Sequence, residues 1–295
     1  MEKRFISVNF HHLMTDWFTI RKPGLQNIPF VLASPDHGRM VITGANALAE
    51  AEGIKTGMVV ADARVIIPSL QVVDDIPGHA EKLLKRLAEW CIRFAPYVAV
   101  DPPSGLILDA TGCAHLFGGD KSYLSEIIKR LNARGYQARL GMADTIGAAW
   151  AIARYGKDDP IVENGAHAKA ILELPAAALR IDIEMVDRLY KLGLRNVKDF
   201  ISMPRSALRR RFGSSFIKRL DQALGREEEI FQPVQEIIPF QERLPCLEPI
   251  VSLPGIEIGL QKLLEALCAR LKQQGKGLRM ALLKCYLYGD RKSVV

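Results

Sequence analysis

The spacing of apolar and polar residues divides this chain into short strands and longer helices. Apolar runs at 5–10, 97–100 and 106–109 are bounded by turn-forming residues, which is typical of buried strands. Longer stretches at 80–94 and 121–132 place apolar side chains three or four residues apart, as on one face of a helix. The first half of the chain therefore mixes strands and helices.

A further strand at 137–141 and a helix at 145–155 complete this part of the chain. The order β-α-β-β-α-β predicts a split, ferredoxin-like sheet with its helices on one face. The fold class that the pattern predicts is therefore α+β.

A second group of predicted strands lies between the first strand and the first long helix. Runs at 31–33 and 40–43 flank the turn-rich residues 34–38 and predict a hairpin. Short helices are predicted at 45–52, which stops at a glycine, and at 58–66, which ends near a proline.

The C-terminal part of the chain has a different character. Residues 172–225 are predicted to be helical, without strands, and are rich in Lys and Arg. An acidic stretch with two prolines at 227–239 predicts a linker. Beyond it, the pattern predicts a strand at 244–249, an amphipathic helix at 257–273 and a β-rich run at 278–288.

Length and charge narrow the classes of protein to which this chain can belong. At 295 residues the chain is too long for one compact core. Its 40 Lys and Arg against 33 Asp and Glu give a net charge of +7, which suits a nucleic-acid partner. No apolar run is long enough to cross a bilayer, and the first residues lack a signal-peptide pattern. The five cysteines have no metal-ligand spacing, so we expect reduced thiols in a cytoplasmic protein.

Three segments in a fixed order carry a resemblance to a known family. They are the strand region 5–12, the stretch 42–57 followed by 61–64, and the run 98–112 that leads into 115–119. Together they resemble the Y-family translesion DNA polymerases, and within that family the ImuB branch of polymerase-like mutagenesis proteins. The resemblance extends over nearly the whole chain.

The resemblance implies the Y-family polymerase architecture, with a ferredoxin-like palm, small fingers, a helical helix-hairpin-helix thumb and a partial α/β little finger. The implied boundaries are 1–10 with 76–165 for the palm, 11–75 for the fingers, 166–232 for the thumb, 233–243 for a linker and 244–295 for the little finger. The last sheet is incomplete where the sequence stops, so we expect a fragment of a longer protein.

The catalytic carboxylates of the family are missing from the expected positions. Two-metal phosphoryl transfer needs carboxylates on adjacent strand ends to hold two cations about 3.5–4 Å apart. The resemblance places Asn9, Ser104 and Gly105 at these positions, and none of them is an anion. Glu50 stands where the family has a phosphate-binding arginine, and an anion there repels a triphosphate. The sequence thus predicts a polymerase fold with no catalytic residues, no bound metal and no cofactor.

Two alternatives would restore a metal site. The carboxylates of Asp16, Asp101 and Asp109 are candidates for relocated ligands, which would make the chain an active translesion polymerase. His11 and His12 are adjacent, but neighbouring side chains on a strand point to opposite faces, so we predict no shared metal.

The resemblance assigns DNA binding to the thumb. Its helix-hairpin-helix units hold a phosphate on backbone N–H groups, with a glycine allowing the close approach. In the first hairpin the usual Gly-x-Gly is replaced by residues 180–182, and Asp182 would repel a phosphate. The second hairpin keeps its glycine. The candidate DNA-binding residues are Gly193, Arg195, Lys198, Arg209, Arg210, Arg211, Gly213, Lys218 and Arg219.

The predicted function is that of a non-catalytic, DNA-binding adaptor in DNA-damage tolerance and induced mutagenesis by translesion synthesis. We expect weak binding to primer-template DNA without base readout. The resemblance implies three protein partners: the sliding clamp, a RecA-like accessory protein and an error-prone replicative-type polymerase. A further hypothesis is a protein-binding module without DNA affinity, which Asp182 and Glu50 favour. No membrane association is predicted.

Overall fold

The computed structural model describes residues 3–157, 159–234, 240–246, 248–273, 275, 277–278, 281–286 and 293–294. The chain separates into two units, Met1–Gln235 and Glu236–Val295. In the described chain the strands are β1 (Phe5–Asn9), β2 (Phe30–Asp36), β3 (Arg39–Ala45), β4 (Gln71–Asp74), β5 (Tyr97–Asp101), β6 (Gly105–Asp109), β7 (Arg139–Ala143), β8 (Cys285–Tyr286) and β9 (Ser293–Val294). The α-helices are α1 (Leu13–Arg21), α2 (Ala47–Ala51), α3 (Val60–Ile66), α4 (His79–Cys91), α5 (Asp120–Asn132), α6 (Ile146–Tyr155), α7 (His167–Ile171), α8 (Ile183–Lys191), α9 (Lys198–Ile201), α10 (Arg205–Ala223) and α11 (Leu253–Gln273).

A four-stranded antiparallel sheet forms the centre of the first unit. Its strand order is β5-β6-β1-β7, as expected for a β-α-β-β-α-β path. In the register of the sheet, Asn9 lies opposite Gly105, and Gly105 lies opposite Asp101. The predicted α+β class and the split sheet are confirmed, and these three residues share one edge of the sheet.

Both faces of this sheet are covered. Ile6 and Val8 pack on one side in a core that includes residues of α4 and α5. Phe5 packs on the other side with residues of α6. Gly141 of β7 allows α6 to lie this close, because a Cβ atom there would be 2.4 Å from the carbonyl oxygen of Ala149. The predicted one-sided arrangement therefore holds for α4 and α5, the two helices within the β-α-β-β-α-β path, whereas α6 follows this path and covers the opposite face.

A three-stranded sheet of order β3-β2-β4 lies between β1 and α4 in the sequence. The predicted hairpin is formed by β2 and β3, which meet at a turn where His37 and Gly38 have φ values of 46° and 77°. The strand β4 pairs parallel to β2 and escapes sequence prediction, because two valines between polar residues give too weak a pattern. Asn46 is the N-cap of α2, and its side-chain oxygen accepts a hydrogen bond from the backbone N–H of Ala49 at 3.0 Å.

The helices α7 to α10 form the last part of the first unit. Their core includes Phe200, Phe212 and Phe216, and the ring centroids of Phe200 and Phe216 are 5.5 Å apart. Gly213 interrupts α10 with a φ of 86° and a ψ of 175°, so two helical segments join at this glycine. Residues 172–225 contain no strand, as the sequence predicts.

The second unit contains α11 and the short antiparallel pair of β8 and β9. The described residues within 244–249 form no strand, so the prediction of a strand there is wrong. Pro245 and Pro249 lack the backbone N–H that a strand ladder needs. Within the predicted β-rich run 278–288, the described residues form only β8. The boundaries of palm, fingers, thumb, linker and little finger stay predictions. None of the described helices is long and apolar enough to cross a membrane.

Candidate functional site

The three positions predicted to lack their carboxylates meet at one edge of the four-stranded sheet. Asn9 ends β1 and lies opposite Gly105, which begins β6. Ser104 precedes that strand, and its hydroxyl donates a hydrogen bond to Oδ1 of Asn9 at 3.3 Å. The carbonyl of Ser104 accepts a hydrogen bond from the N–H of Phe10 at 2.8 Å. The structure therefore brings the three residues together through neutral hydrogen bonds.

A guanidinium group lies beside Gly105. A Cβ atom on Gly105 would be 2.7 Å from Nη2 of Arg154 and 2.9 Å from Oδ2 of Asp101. Arg154 comes from α6, and its Nη1 also donates a hydrogen bond to Oγ of Ser7 at 3.4 Å. Burial lowers the pKa of Arg154 to about 10, so the side chain remains cationic at neutral pH. A side chain at position 105 would thus meet a fixed positive charge.

Asp101 is the anion that balances this charge. Its Oδ2 accepts hydrogen bonds from Nη2 of Arg154 at 3.1 Å and from Nε1 of Trp150 at 2.8 Å. Its Oδ1 accepts a hydrogen bond from Nη2 of Arg180 at 3.0 Å. Asp101 is buried, so its ion pairs are shielded from water. Both oxygens of the carboxylate are therefore engaged by protein groups.

The ion pairs continue to the segment that follows α10. Nη1 of Arg180 lies 2.5 Å from Oε1 of Glu229, and Nη1 of Arg219 lies 3.0 Å from the same oxygen. Arg180 has a φ of 59°, in the left-handed region that favours glycine, at the hairpin position where the family has one. We call Asp101, Arg154, Arg180, Arg219 and Glu229 the ion network. It joins β5, α6 and α10 with Arg180, three residues before α8, and with Glu229 in the segment after α10.

The other two acids considered as relocated ligands lie elsewhere. Asp109 lies opposite Phe5, four residues along β6 from Gly105, which corresponds to about 13 Å. Its Oδ1 accepts a hydrogen bond from the N–H of Thr111 at 3.0 Å. Asp16 accepts a hydrogen bond from the N–H of Gln137 at 2.9 Å. Among the described residues, no three carboxylates lie close enough together to hold a metal.

His11 and His12 do not lie on a strand, so the expectation that they point to opposite faces is wrong. The strand β1 ends at Asn9, and both histidines lie between it and α1. Their ring centroids are 4.6 Å apart. Nε2 of His11 lies 3.0 Å from Oε2 of Glu50 on α2, and Nε2 of His12 lies 3.8 Å from the same oxygen. The structure thus joins both histidines to the acid predicted at the triphosphate position.

Cations from two helices line a surface cleft in the helical part of the first unit. The cleft is lined by Arg188, Lys191, Leu192, Arg210, Arg211 and Phe212. Nη2 of Arg188 donates a hydrogen bond to the carbonyl of Arg211 at 2.9 Å, which connects α8 with α10. The sequence prediction contains Arg210 and Arg211 but misses Arg188 and Lys191. Their position in the last turn of α8, next to Gly193, is the signal that could find them. We call this surface, with Arg188, Lys191, Arg210 and Arg211, the cationic cleft.

Comparison with known proteins agrees with this geometry. Residues 8–154 match the impB/mucB/samB family, and this segment contains the four-stranded sheet from Val8 onward together with Asn9, Ser104 and Gly105. Through this segment, the chain belongs to the impB/mucB/samB family. Protein ImuB of Caulobacter vibrioides is 40% identical over 225 residues, which cover 76% of this chain and 49% of ImuB. The chain therefore spans about half the length of this curated relative.

More distant relatives are polymerases by name. DNA polymerase IV of Marinomonas sp. is 25% identical over 213 residues, which cover 70% of this chain and 60% of that protein. The crystal structure of DinB from Sulfolobus solfataricus has a TM-score of 0.65 at 20% identity, covering 78% of this chain and 69% of that one. The insertion ternary complex of Dbh DNA polymerase has a TM-score of 0.67 at 20% identity, with the same coverage. The predicted Y-family polymerase fold is confirmed.

Both predicted hairpin glycines of this impB/mucB/samB family member adopt a left-handed φ. The φ values are 78° for Gly193 and 86° for Gly213. A Cβ atom on Gly193 would have no neighbour within 4 Å, so the backbone there is open to a partner. Arg195 and Arg209 are exposed, and neither side chain forms an ion pair within the described residues.

Three other predicted DNA-binding residues are paired with acids. Nζ of Lys198 lies 2.6 Å from Oε2 of Glu173, and Nζ of Lys218 lies 3.8 Å from Oε1 of Glu227. Arg219 belongs to the ion network and contacts Glu229. A phosphate would have to compete with these carboxylates for each cation. The structure therefore separates these three residues from the cationic cleft.

Proposed function

We propose that this chain is a non-catalytic, polymerase-like protein that binds DNA in damage tolerance and induced mutagenesis. The observation that carries the proposal is the guanidinium of Arg154 beside Gly105, at the sheet edge where the resemblance places a metal-binding carboxylate. The neighbouring positions hold the amide of Asn9 and the hydroxyl of Ser104. This edge of the sheet has the strand order of a polymerase palm, but its charges form an internal ion pair between Arg154 and Asp101.

A cation at this edge opposes two-metal catalysis. Two divalent ions about 3.5–4 Å apart need several anionic ligands to offset their charge. The nearest carboxylate in the sheet register is Asp101, which Arg154 and Arg180 already bind. Diverting Asp101 to a metal would leave Arg154 without an acid among the described residues and Arg180 with Glu229 alone, and breaking a buried pair costs about 3–5 kcal/mol. We therefore expect no nucleotide incorporation.

The cationic cleft supports DNA binding without base readout. Arg210 and Arg211 on α10 face the same cleft as Arg188 and Lys191 on α8. Cations of this kind bind phosphates irrespective of sequence. The open backbone at Gly193 is the second element, because a helix-hairpin-helix glycine lets a phosphate approach the N–H groups. The proposed ligand is the backbone of primer-template DNA.

The proposed role is that of an adaptor. A chain that keeps the polymerase fold and binds DNA, but performs no synthesis, can place another polymerase at the same substrate. By its similarity to ImuB, the proposed partners are the sliding clamp, a RecA-like accessory protein and an error-prone replicative-type polymerase. The proposed location is the cytoplasm. The chain matches about half the length of ImuB, so these partners are proposed for the whole protein and not for this segment alone.

Primer extension and DNA binding, measured on the same sample, test the proposal. With Mg²⁺ and then Mn²⁺, we expect no nucleotide incorporation, while a fluorescent primer-template is still bound. An active DNA polymerase IV serves as the positive control. Incorporation that Asp101→Ala or Asp109→Ala abolishes would instead show an active polymerase with relocated ligands.

A protein-binding module without DNA affinity is the second candidate. Asp182 favours it, because this residue is exposed at the start of α8 and its carboxylate has no hydrogen bond or ion pair within the described residues. An unpaired carboxylate at a hairpin repels a phosphate backbone. Failure of the chain to bind primer-template DNA at low salt would select this second function over the first.

A further inference from the structure

The cluster formed by His11, His12 and Glu50 has no role in the proposed function. Two of its ligand atoms lie 3.0 Å apart, namely Nε2 of His11 and Oε2 of Glu50. The donor atoms of all three side chains lie within 4.8 Å of one another. They come from two places in the chain, the turn before α1 and the helix α2, which the fold brings together.

The hydrogen bond on the far side of His12 fixes its orientation. Nδ1 of His12 lies 3.1 Å from the carbonyl oxygen of Ala45. Because a carbonyl oxygen only accepts, Nδ1 carries a proton, and a neutral imidazole then presents the lone pair of Nε2 to Glu50. That lone pair lies 3.8 Å from a carboxylate oxygen, and a cation bound by both groups would satisfy them. An N–H donated to a backbone carbonyl is the usual support of a metal-binding histidine.

The donor set selects the class of metal. Two imidazole nitrogens and one carboxylate oxygen suit Zn²⁺ and neighbouring transition metals, whereas Mg²⁺ prefers oxygen ligands alone. Zinc bonds of about 2.0–2.1 Å in a tetrahedron place ligand atoms about 3.3 Å apart. The present separations of 3.0 and 3.8 Å to Glu50 bracket this value. The ligand nitrogens of the two histidines lie within 4.8 Å of each other, and His11 is exposed, so its side chain has room to adjust to a tetrahedral set.

We infer that His11, His12 and Glu50 form a binding site for Zn²⁺ or a similar divalent transition metal. Three protein ligands leave a fourth position for water or an external donor. The metal would connect the end of β1 to α2, and thus the four-stranded sheet to the three-stranded one. The side chain of His12 is 13% exposed and that of His11 is 63% exposed, so the ion would have one open side.

Zinc competition with a chromogenic chelator tests the site in the metal-stripped chain, after removal of any histidine tag. We expect one equivalent to bind. His11→Ala and Glu50→Gln should each weaken binding at least as much as loss of an outer-shell partner does, about 10–100-fold. His37→Ala is the matched control, because His37 is exposed and bonded to Asp36 instead. Thermal unfolding of each metal-free variant checks that the fold is retained.

Cobalt substitution identifies the ligands independently. A tetrahedral Co²⁺ spectrum without a sulfur charge-transfer band is expected, since the three ligands are nitrogen and oxygen donors. A sulfur band would assign the metal to the free cysteines and overturn the inference. The inference would also be overturned if zinc affinity were unchanged in both His11→Ala and Glu50→Gln, or if the chain bound no stoichiometric zinc.

Discussion

Gly105 and Arg154 act as a pair at the scale of single residues. The glycine leaves the space that the guanidinium uses, and the guanidinium is held there by Asp101. The packing of each residue therefore depends on the other: a side chain at position 105 would displace the guanidinium from its acid.

Gly105→Ala should therefore be destabilising by about 1–3 kcal/mol, because the added methyl group overlaps the side chains of Arg154 and Asp101. Gly44→Ala is the matched control in β3. Its Cβ atom would meet only Cδ1 of Leu32 at 3.7 Å, which is ordinary contact. Urea unfolding of both variants measures the difference. Equal unfolding midpoints would mean that the packing around Gly105 is not as tight as described.

Asp16 gives the fold a pH dependence. Burial raises the pKa of its carboxyl from 3.8 to about 6, against the hydrogen bond from Gln137 and the charge of His12. The folded chain thus holds this proton more tightly than the unfolded chain, and the contribution of Asp16 to stability is lost as pH rises from about 4 through about 6.

Asp16→Asn should remove this loss, because an amide does not ionise. The free energy of unfolding of the variant, relative to the unmodified chain, should rise between pH 4 and 6 and level off above pH 7. Chemical denaturation across this pH range measures it. Asp62→Asn, on the exposed face of α3, is the control. A constant difference at all pH values would contradict the burial of Asp16.

The residues at the site could be predicted only in part. Asn9, Ser104 and Gly105 follow from the resemblance, because they lie within short motifs along the chain. Arg154 lies far from them in the sequence and reaches the site only because α6 covers the second face of the sheet. The meeting of His11 and His12 with Glu50 also depends on where β1 ends, which residue patterns locate poorly.

At the scale of secondary structure elements, the pairing of α8 with α10 creates the cationic cleft. Each helix has apolar side chains in the core and basic side chains at the surface. The hydrogen bond between Arg188 and the carbonyl of Arg211 connects the two helices at the cleft. The cleft therefore has cations from both helices along its lining.

The double variant Arg210→Ala with Arg211→Ala should reduce DNA affinity and its salt dependence. The slope of log K against log salt is negative, and each lost phosphate contact makes it less steep by about 0.9. The expected change for two lost contacts is therefore about 1.8. Lys82→Ala with Lys85→Ala removes the same charge from the exposed face of α4 and is the control. Fluorescence anisotropy at several salt concentrations distinguishes them. An equal change in both double variants would indicate a general charge effect.

Most elements were accessible to sequence reasoning, and the exceptions have physical causes. Helices such as α4 and α5 carry a long apolar stripe, so their spacing alone indicates them. The strand β4 has four residues and takes its place in the sheet through its parallel pairing with β2. The stretch 244–249 has an apolar pattern, but Pro245 and Pro249 have no backbone N–H to donate, which is why the pattern predicts a strand that the described residues do not form.

At the scale of the first unit, the ion network connects segments that are distant in the sequence. Glu229 accepts contacts from Arg180 and Arg219, and Arg180 continues to Asp101 on β5. The side chain of Glu229 is only 13% exposed. Its contribution to stability therefore differs from that of an exposed surface pair.

Glu229→Ala should destabilise the first unit by about 2 kcal/mol, because it leaves two guanidinium groups without their shared acid. The adjacent Glu228 provides the control, since its side chain is 71% exposed and pairs with Lys3 at the surface. Glu228→Ala should change stability much less, because water and salt screen an exposed ion pair. Thermal unfolding compares the two variants. Equal destabilisation by both variants would mean that the ion network contributes no more to stability than an exposed surface ion pair does.

The position of Arg154 also restricts which single substitutions this part of the chain can accept. A carboxylate restored at position 105 would collide with the guanidinium, and removal of Arg154 alone would take one cation from the buried Asp101. Each of these single substitutions is expected to lower stability, so a stepwise exchange of charge at position 105 passes through a less stable intermediate whichever residue changes first.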